Sequence, residues 1–277
     1  MRTFLVIGPT GNVGRHVVSA LSAAGHEVRA LVRDPASAGL PEGVTAVRGD
    51  LSSPDTLAPA LRDVDGVYLM WPGIPVEPLV VDVIARHAKR VVYLSADVAD
   101  LAEGEEATIY HQEIERLIRR SGLSWTFVRA IDFATNTLGW AGQIRQGVVR
   151  LPYGQASRSV IHERDIADVA AHVLTSDGHE GARYVITGPE SITHAELVRI
   201  IGDVVGREVR WEEPPLETAR EELTAAWGNA AFVEARLAAW KAFVDSPERV
   251  TDTVERLLGR PARTFRSWAE EHAEDFR

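Results

Sequence analysis

The chain contains no cysteine. That absence excludes a disulfide framework, a thiolate metal site and a cysteine nucleophile together, and it fits a cytoplasmic protein. Long apolar runs are missing too. None approaches the ~20 residues that span a bilayer, and the run after Met1-Arg2-Thr3 stops at Gly8, too short for a signal-peptide core. There is no basic excess. The formal net charge is -10, which argues against a nucleic-acid surface or an anionic membrane as partner. The nine histidines form no H-E-x-x-H pair or other spaced ligand set, so no metal is expected. No internal repeat or low-complexity segment interrupts the chain.

What is present is an ordinary globular composition. The 277 residues, 45% hydrophobic and 25% charged, suffice for one large α/β domain with room for a small second lobe. Short apolar runs at Thr3–Ile7, His26–Leu31, Val44–Val47, Gly66–Trp71, Arg90–Leu94 and Ser124–Arg129 are expected strands. Between them lie expected helices at Arg15–Ala24, Ser53–Leu61, Pro78–Ala88 and Glu105–Ser121. This alternation predicts an α/β fold with a doubly wound parallel sheet, the Rossmann arrangement.

After about residue 130 the rhythm changes. Leu138–Tyr153 is mixed, and Ser159–Ile161 and Glu208–Trp211 are short expected strands. Asp165–Leu174 and Thr193–Val205 are expected helices, with a strand at Arg183–Ile186 between them. Glu217–Val244 and Pro247–Leu258 are expected to be helical, and Ser267–Phe276 is an amphipathic tail. The expected organisation is a Rossmann core over 1–135, rejoined by 155–188. A smaller, mainly helical C-terminal substrate lobe would take 136–154 and 189–277.

The strongest motif is Gly8-Pro9-Thr10-Gly11-Asn12-Val13-Gly14. Gly8 lets the chain turn out of the first strand, Gly11 lets backbone approach a pyrophosphate, and Gly14 lets the helix pack on the strand. The helix start then offers free N–H groups and a positive dipole end to phosphates. A tight turn alone does not require three glycines at this spacing, and the strand-to-helix context supports dinucleotide binding. After the second strand comes Arg33-Asp34-Pro35. Arg33 either forks onto a 2′-phosphate, which favours NADP(H) over NAD(H), or stacks on adenine, or is a solvated loop residue. Asp34 either points away or pairs with it, and Arg15 is a second candidate cation. Asp50, after the third strand, is either an acceptor for the adenine amino group or a turn residue.

These motifs resemble the NmrA-like group of atypical short-chain dehydrogenases/reductases. Leu31-Val32-Arg33, Gly49-Asp50-Leu51, the run Ser121–Arg129, Asn136, Asp165-Ile166-Ala167 and Thr187–Thr193 carry the likeness to about Arg210. The resemblance implies that Gly8, Thr10, Gly11, Asn12, Val13 and Gly14 line the pyrophosphate. It implies that Arg33 meets the adenosine phosphate and Asp50-Leu51 the adenine. Met70, Trp71 and Ser95 would lie beside the nicotinamide half, with Trp71 either a substrate wall or a packed core aromatic.

The Tyr-x-x-x-Lys pair of typical short-chain dehydrogenases is absent, because Ile114 stands four residues after Tyr110. The resemblance supplies His111 with Glu115 instead, four apart and so on one helix face. His111 is then a candidate proton donor, a cofactor contact or wall, or with Glu115 a structural residue only, and Tyr110 is a second hydrogen-bond donor to the same oxygen. Hydride transfer to a quinone-like acceptor needs little acid catalysis, since the cofactor carries the chemistry. His162-Glu163-Arg164-Asp165 is taken as structural, with Asp165 stabilising a helix start. Glu103-Gly104-Glu105-Glu106 is an acidic loop. Trp227, Phe232, Trp240 and Phe243 are equally a substrate cap or the small core of their lobe.

The expected function is an NAD(P)H-dependent reductase for a small conjugated carbonyl or quinone-like acceptor. That acceptor would be contacted by Trp71, Ser95, Tyr110, His111, Phe133, Asn136 and the C-terminal cap. The protein would be a monomer or homodimer. The alternatives are a non-catalytic dinucleotide sensor that binds a protein partner and an epimerase or isomerase of the same group.

Overall fold

The computed structural model describes residues 1–98, 100–101 and 105–277. Glu103 and Gly104 of the acidic loop lie outside the described residues. The chain divides into two compact units, one of 1–131, 163–186 and 253–260, the other of 132–162, 187–252 and 261–277. Relative to the sequence expectation, residues 155–162 fall in the second unit and 253–260 in the first.

The first unit is built on strands β1 (Thr3–Ile7), β2 (Glu27–Val32), β3 (Thr45–Arg48), β4 (Gly66–Met70), β5 (Arg90–Ala96), β6 (Ser124–Ala130) and β7 (Ala182–Ile186). They form one sheet in the order β3-β2-β1-β4-β5-β6-β7, and every pairing in it is parallel. The order reverses between β1 and β4, the place where doubly wound sheets open a crevice at their carboxyl ends. The central strands are apolar on both faces because both are covered. Leu5, Ile7, Val67, Leu69, Val91, Tyr93 and Phe127 share one core cluster, while Phe4 and Val6 are buried between them in sequence.

The helices obey the 3.6-residue period. In α1 (Gly14–Ala23) the buried residues are Gly14, Val17, Val18 and Leu21. In α2 (Pro78–His87) they are Val80, Val81 and Ile84, and the Glu77 side chain accepts from the Leu79 amide at its start. The next helix, α3 (Tyr110–Arg120), begins five residues later than the expected Glu105. Ahead of it, Thr108 donates its amide and hydroxyl to the Gln112 side chain at 3.0 Å each, fixing the chain before the first turn. The expected helix over Ser53–Leu61 is broken into a 3₁₀ turn, Pro54–Thr56, and one α turn, Ala58–Leu61.

The helix α4 (Glu163–Thr175) starts two residues before Asp165, which lies fully buried in its first turn and pairs with Arg260 at 2.8 Å. The structural role expected of this segment thus includes a buried ion pair within the first unit. No helix among the described residues is long and apolar enough to cross a membrane.

The second unit is mainly helical, with two small ladders. Ser157–Arg158 pairs antiparallel with Ile192–Thr193, and Val148–Arg150 pairs parallel with Arg210–Glu212. The expected single helix over Glu217–Val244 is two, Leu216–Trp227 and Ala230–Asp245. Gly228 takes φ 68 between them, and the Asn229 side chain caps the second by accepting from the Phe232 amide. The helix expected from Pro247 runs only over Thr253–Leu258. Val149, Val198, Ile201, Val233, Phe265, Trp268 and Phe276 form this unit's core.

Candidate active site

The glycine loop leaves β1 at Gly8, whose φ of +77 is left-handed. The Gly11 amide donates back to the Gly8 carbonyl at 3.2 Å, closing the turn. A Cβ on Gly14 would stand 1.9 Å from the Gly8 carbonyl oxygen, so only glycine lets α1 start this close to the loop. A Cβ on Gly11 would meet nothing nearer than 3.5 Å, so that position leaves an open backbone face. No side chain caps α1, and no acid sits in its first turn. The orphan amides at that helix start are thus left for an anion.

Beside the loop the first unit holds a cavity of about 680 Å³. It brings together Gly8, Thr10, Arg33, Asp50, Leu51 and Met70 from four separated segments. Arg33 is exposed at this cavity and has no ion-pair partner among the described residues. Asp34 does not pair with it. Its carboxylate accepts from the Ser37 hydroxyl at 2.8 Å and the Ala36 amide at 3.1 Å, and those two bonds hold it below the usual carboxylate range. Asp50 accepts from the Ser52 amide at 2.8 Å through Oδ1, a turn bond that leaves the other oxygen without a partner among the described residues. Ser37, Ser52, Pro72 and Ile74 also line the cavity. No motif spacing marks them; they lie in the loops that follow the strands, and proximity to those strand ends was the available signal.

Of the residues placed beside the nicotinamide by the resemblance, Trp71 takes the core alternative and Ser95 is buried. Trp71 is buried in the core cluster, its indole N–H donating to the Ile74 carbonyl at 2.8 Å. Ser95 is buried, its hydroxyl donating to Glu115 Oε1 at 2.7 Å. Strand β5 and helix α3 explain the second placement. Two residues along a strand advance about 6.6 Å, and four along a helix about 6 Å. Tyr93 and Ser95 on β5 therefore match His111 and Glu115 on α3. Glu115 takes three hydrogen bonds, from Ser95 and from Arg129 Nε (3.0 Å) and a terminal nitrogen (2.5 Å). Its side chain is 2% exposed, so it is an interior anchor and not a reactive group.

The other match carries chemistry. Tyr93 is fully buried, and its hydroxyl meets His111 Nδ1 at 2.8 Å. Burial raises the phenol far above its ordinary value, so it stays protonated. It has no other hydrogen-bond partner among the described residues. Were it to accept from Nδ1–H, its own buried proton would be stranded, which costs on the order of 1–3 kcal/mol. Tyr93 therefore donates, Nδ1 accepts, and the remaining imidazole proton sits on Nε2. Burial also lowers the His111 pKa to about 4, so the ring is neutral near pH 7. Nε2 has no partner among the described residues and keeps access to solvent. Tyr110 lies against the same ring, centroids 4.1 Å apart, and is itself partly exposed. The arrangement offers a neutral hydrogen-bond donor at Nε2.

In the second unit, Asn136 is exposed and donates to Asp132 Oδ1 at 2.6 Å. Asn136 lines a cavity of about 400 Å³ there. Phe133 does not line it; its backbone bridges to Ile161. The four aromatics of uncertain role divide. Trp240 is core, Phe243 packs against that core, and Trp227 and Phe232 stay exposed. No group of three or more His, Asp or Glu among the described residues gathers as a metal ligand set.

The family model described as the NmrA-like family matches residues 1–246. A (4-alkanoyl-5-oxo-2,5-dihydrofuran-3-yl)methyl phosphate reductase of Streptomyces griseus is 39% identical, covering 98% of both chains. An NAD(P)H azoreductase of Xenophilus azovorans is 34% identical, again over 98% of both. Among solved structures, an NADPH-dependent quinone oxidoreductase of Escherichia coli complexed with NADPH superposes with a TM-score of 0.78. It is 21% identical, covering 97% of this chain and 99% of that one, and shares the fold.

Proposed function

The chain belongs to the NmrA-like family, and on that premise we propose that it transfers hydride to a small conjugated carbonyl or quinone-like acceptor. It is an NAD(P)H-dependent oxidoreductase of the atypical short-chain dehydrogenase/reductase type. The acceptor class rests on one observation, the neutral His111 with its free Nε2–H. Hydride added to a simple ketone leaves a localised alkoxide that calls for a proton at once. Hydride added to a conjugated acceptor leaves an enolate or phenolate whose charge is spread, and a single hydrogen bond suffices to hold it while water completes protonation. The relatives named above as reductases of an unsaturated lactone and of azo compounds fit an acceptor of this kind.

We assign the dinucleotide to the first unit's cavity, and the glycine cradle fits it. A Cβ at Gly14 would destroy the loop, and the uncapped start of α1 suits a pyrophosphate. Bound there, the reduced nicotinamide supplies the hydride. Gly8, Thr10 and the amides of Gly11–Gly14 would hold the phosphates, and Asp50 with Leu51 the adenine. Arg33 would hold a 2′-phosphate, which favours NADP(H) over NAD(H). Tyr110 and His111 would donate to the acceptor oxygen.

The test is oxidation of NADPH and NADH, followed by nicotinamide absorbance, against quinones, enones, azo compounds and saturated ketones. Turnover with conjugated acceptors and little with saturated ketones is expected. Tight cofactor binding with no oxidation across the panel would refute the reading. A His111→Ala variant with unchanged catalytic efficiency would remove His111 from it.

A further inference from the structure

We propose that the cavity of the second unit is a binding site for a small organic anion with a flat apolar body, anchored by Arg236. The cavity, about 400 Å³, has the size of small-molecule sites. Trp140, Trp227, Phe232 and Trp240 form aromatic walls, with Leu197 and Leu223 between them. Trp227 and Phe232 remain 41% and 47% exposed, their rings in edge contact at 5.5 Å. Two large aromatics left in water at the wall of a concave site mark a place built for an apolar partner.

The charges lining this cavity are unequal in their commitments. Arg158 is 3% exposed and gripped by Asp132 at 3.0 Å and by both oxygens of Glu248 at 3.2 Å. There one positive charge is already outnumbered by two carboxylates, so Arg158 adds no net attraction for a further anion. Arg236 is different. It extends from helix Ala230–Asp245 over the Phe232 ring at 5.4 Å, and no carboxylate among the described residues pairs with it. The acid nearest on its own helix, Glu234, is bonded to Arg220. A guanidinium stacked on one ring and unpaired on its donor edge matches an oxyacid group.

His194 lines the cavity beside the polar side chains of Asn136, Thr137 and Gln143. Burial, reinforced by Arg158 and Arg236, brings it down to about 4, so it adds no positive charge near pH 7. Its Nδ1 lies 3.2 Å from the Tyr153 carbonyl, which can only accept, so Nδ1 carries the proton and the ring brings no cation to the cavity. Among the described residues the cavity thus offers one unpaired cation, Arg236, and four aromatic surfaces. The cation selects an aryl or conjugated carboxylate or phosphate over a neutral molecule of the same shape.

The test titrates the protein with 1-naphthoate and with its neutral isostere 1-naphthamide, by calorimetry and tryptophan fluorescence. Titrations are run with and without saturating NADP(H). Naphthoate is expected to bind about 10-fold more tightly than the amide, the usual scale for a charged hydrogen bond. The preference should persist with the cofactor bound, weaken with salt, and vanish in Arg236→Met, which keeps the aliphatic stem. Arg236→Lys should restore part of it. Equal affinities for acid and amide, a preference that survives in Arg236→Met, or loss of naphthoate binding on adding NADP(H) would each overturn the proposal. Competition between naphthoate and a turned-over acceptor would identify the anion as substrate-like. Binding without competition would identify it as a separate ligand of the same site.

Discussion

Glu115→Gln is the substitution that tests most directly how the first unit is held together. The Glu115 carboxylate accepts three hydrogen bonds from Ser95 and Arg129, and the two charged side chains are 2% and 7% exposed. Glutamine keeps the volume but sets an N–H₂ donor against a guanidinium donor and leaves Arg129 a buried cation. Removing one partner of a buried pair costs about 3–5 kcal/mol. The low end applies here, because Arg129 retains Asp100 at 2.6 Å, itself 49% exposed. At roughly 2–4 °C per kcal/mol for a domain of this size, the melting temperature should fall by about 6–12 °C. Differential scanning calorimetry at pH 7 measures it. The double variant Glu115→Leu with Arg129→Met should recover most of the loss, since an apolar replacement of both members is often neutral. A fall of less than about 2 °C in the single variant, against the roughly 6 °C minimum worked above, would show that the pair does not anchor α3 to β6.

Three further outcomes are expected. Histidines 111 and 194 both have pKa values lowered by burial to about 4, against 6.5 in the unfolded chain. The unfolded state therefore binds more protons between those values. Stability should be full above pH ~6.5 and fall as the pH drops toward ~4, each histidine contributing on the order of 3 kcal/mol. Urea unfolding midpoints across that range should flatten when either is replaced by glutamine, and unchanged slopes would contradict the assignment. In Tyr93→Phe, ¹⁵N imidazole spectra should show His111 losing its fixed Nε2–H form and populating both tautomers, while a spectrum identical to wild type would refute donation by Tyr93. In Arg33→Ala, calorimetry should show NADPH affinity falling by about 10-fold with NADH little changed, and equal losses for both would remove the 2′-phosphate argument.

The sequence carried the dinucleotide fold because the relevant signals are local. Strand runs, their spacing and the Gly8–Gly14 loop are all read within a few residues, and the steric need at Gly14 follows from a turn that the chain makes with itself. Arg33 was legible because it follows directly on β2. Where local signals competed, boundaries moved. Gly228 with Asn229 stops one helix and caps the next, so the expected single helix became two. The acidic residues before Thr108 favour helix, yet α3 waits for Tyr110.

The direction in which a side chain faces was not legible. Trp71 and Ser95 stand at strand ends, where a ligand contact is the natural expectation, but both point into the interior. The same four-residue spacing that suggested a paired His111 and Glu115 is met instead by two partners on β5, and it gives the two residues opposite fates. By itself the sequence determined the sheet, the cradle and the class of cofactor, since these follow from backbone geometry and residue order. Only the tertiary structure decided that His111 is neutral and which nitrogen holds its proton. Both depend on burial and on Tyr93, eighteen positions away along the chain, and neither burial nor a distant hydrogen-bond partner is a property of local sequence.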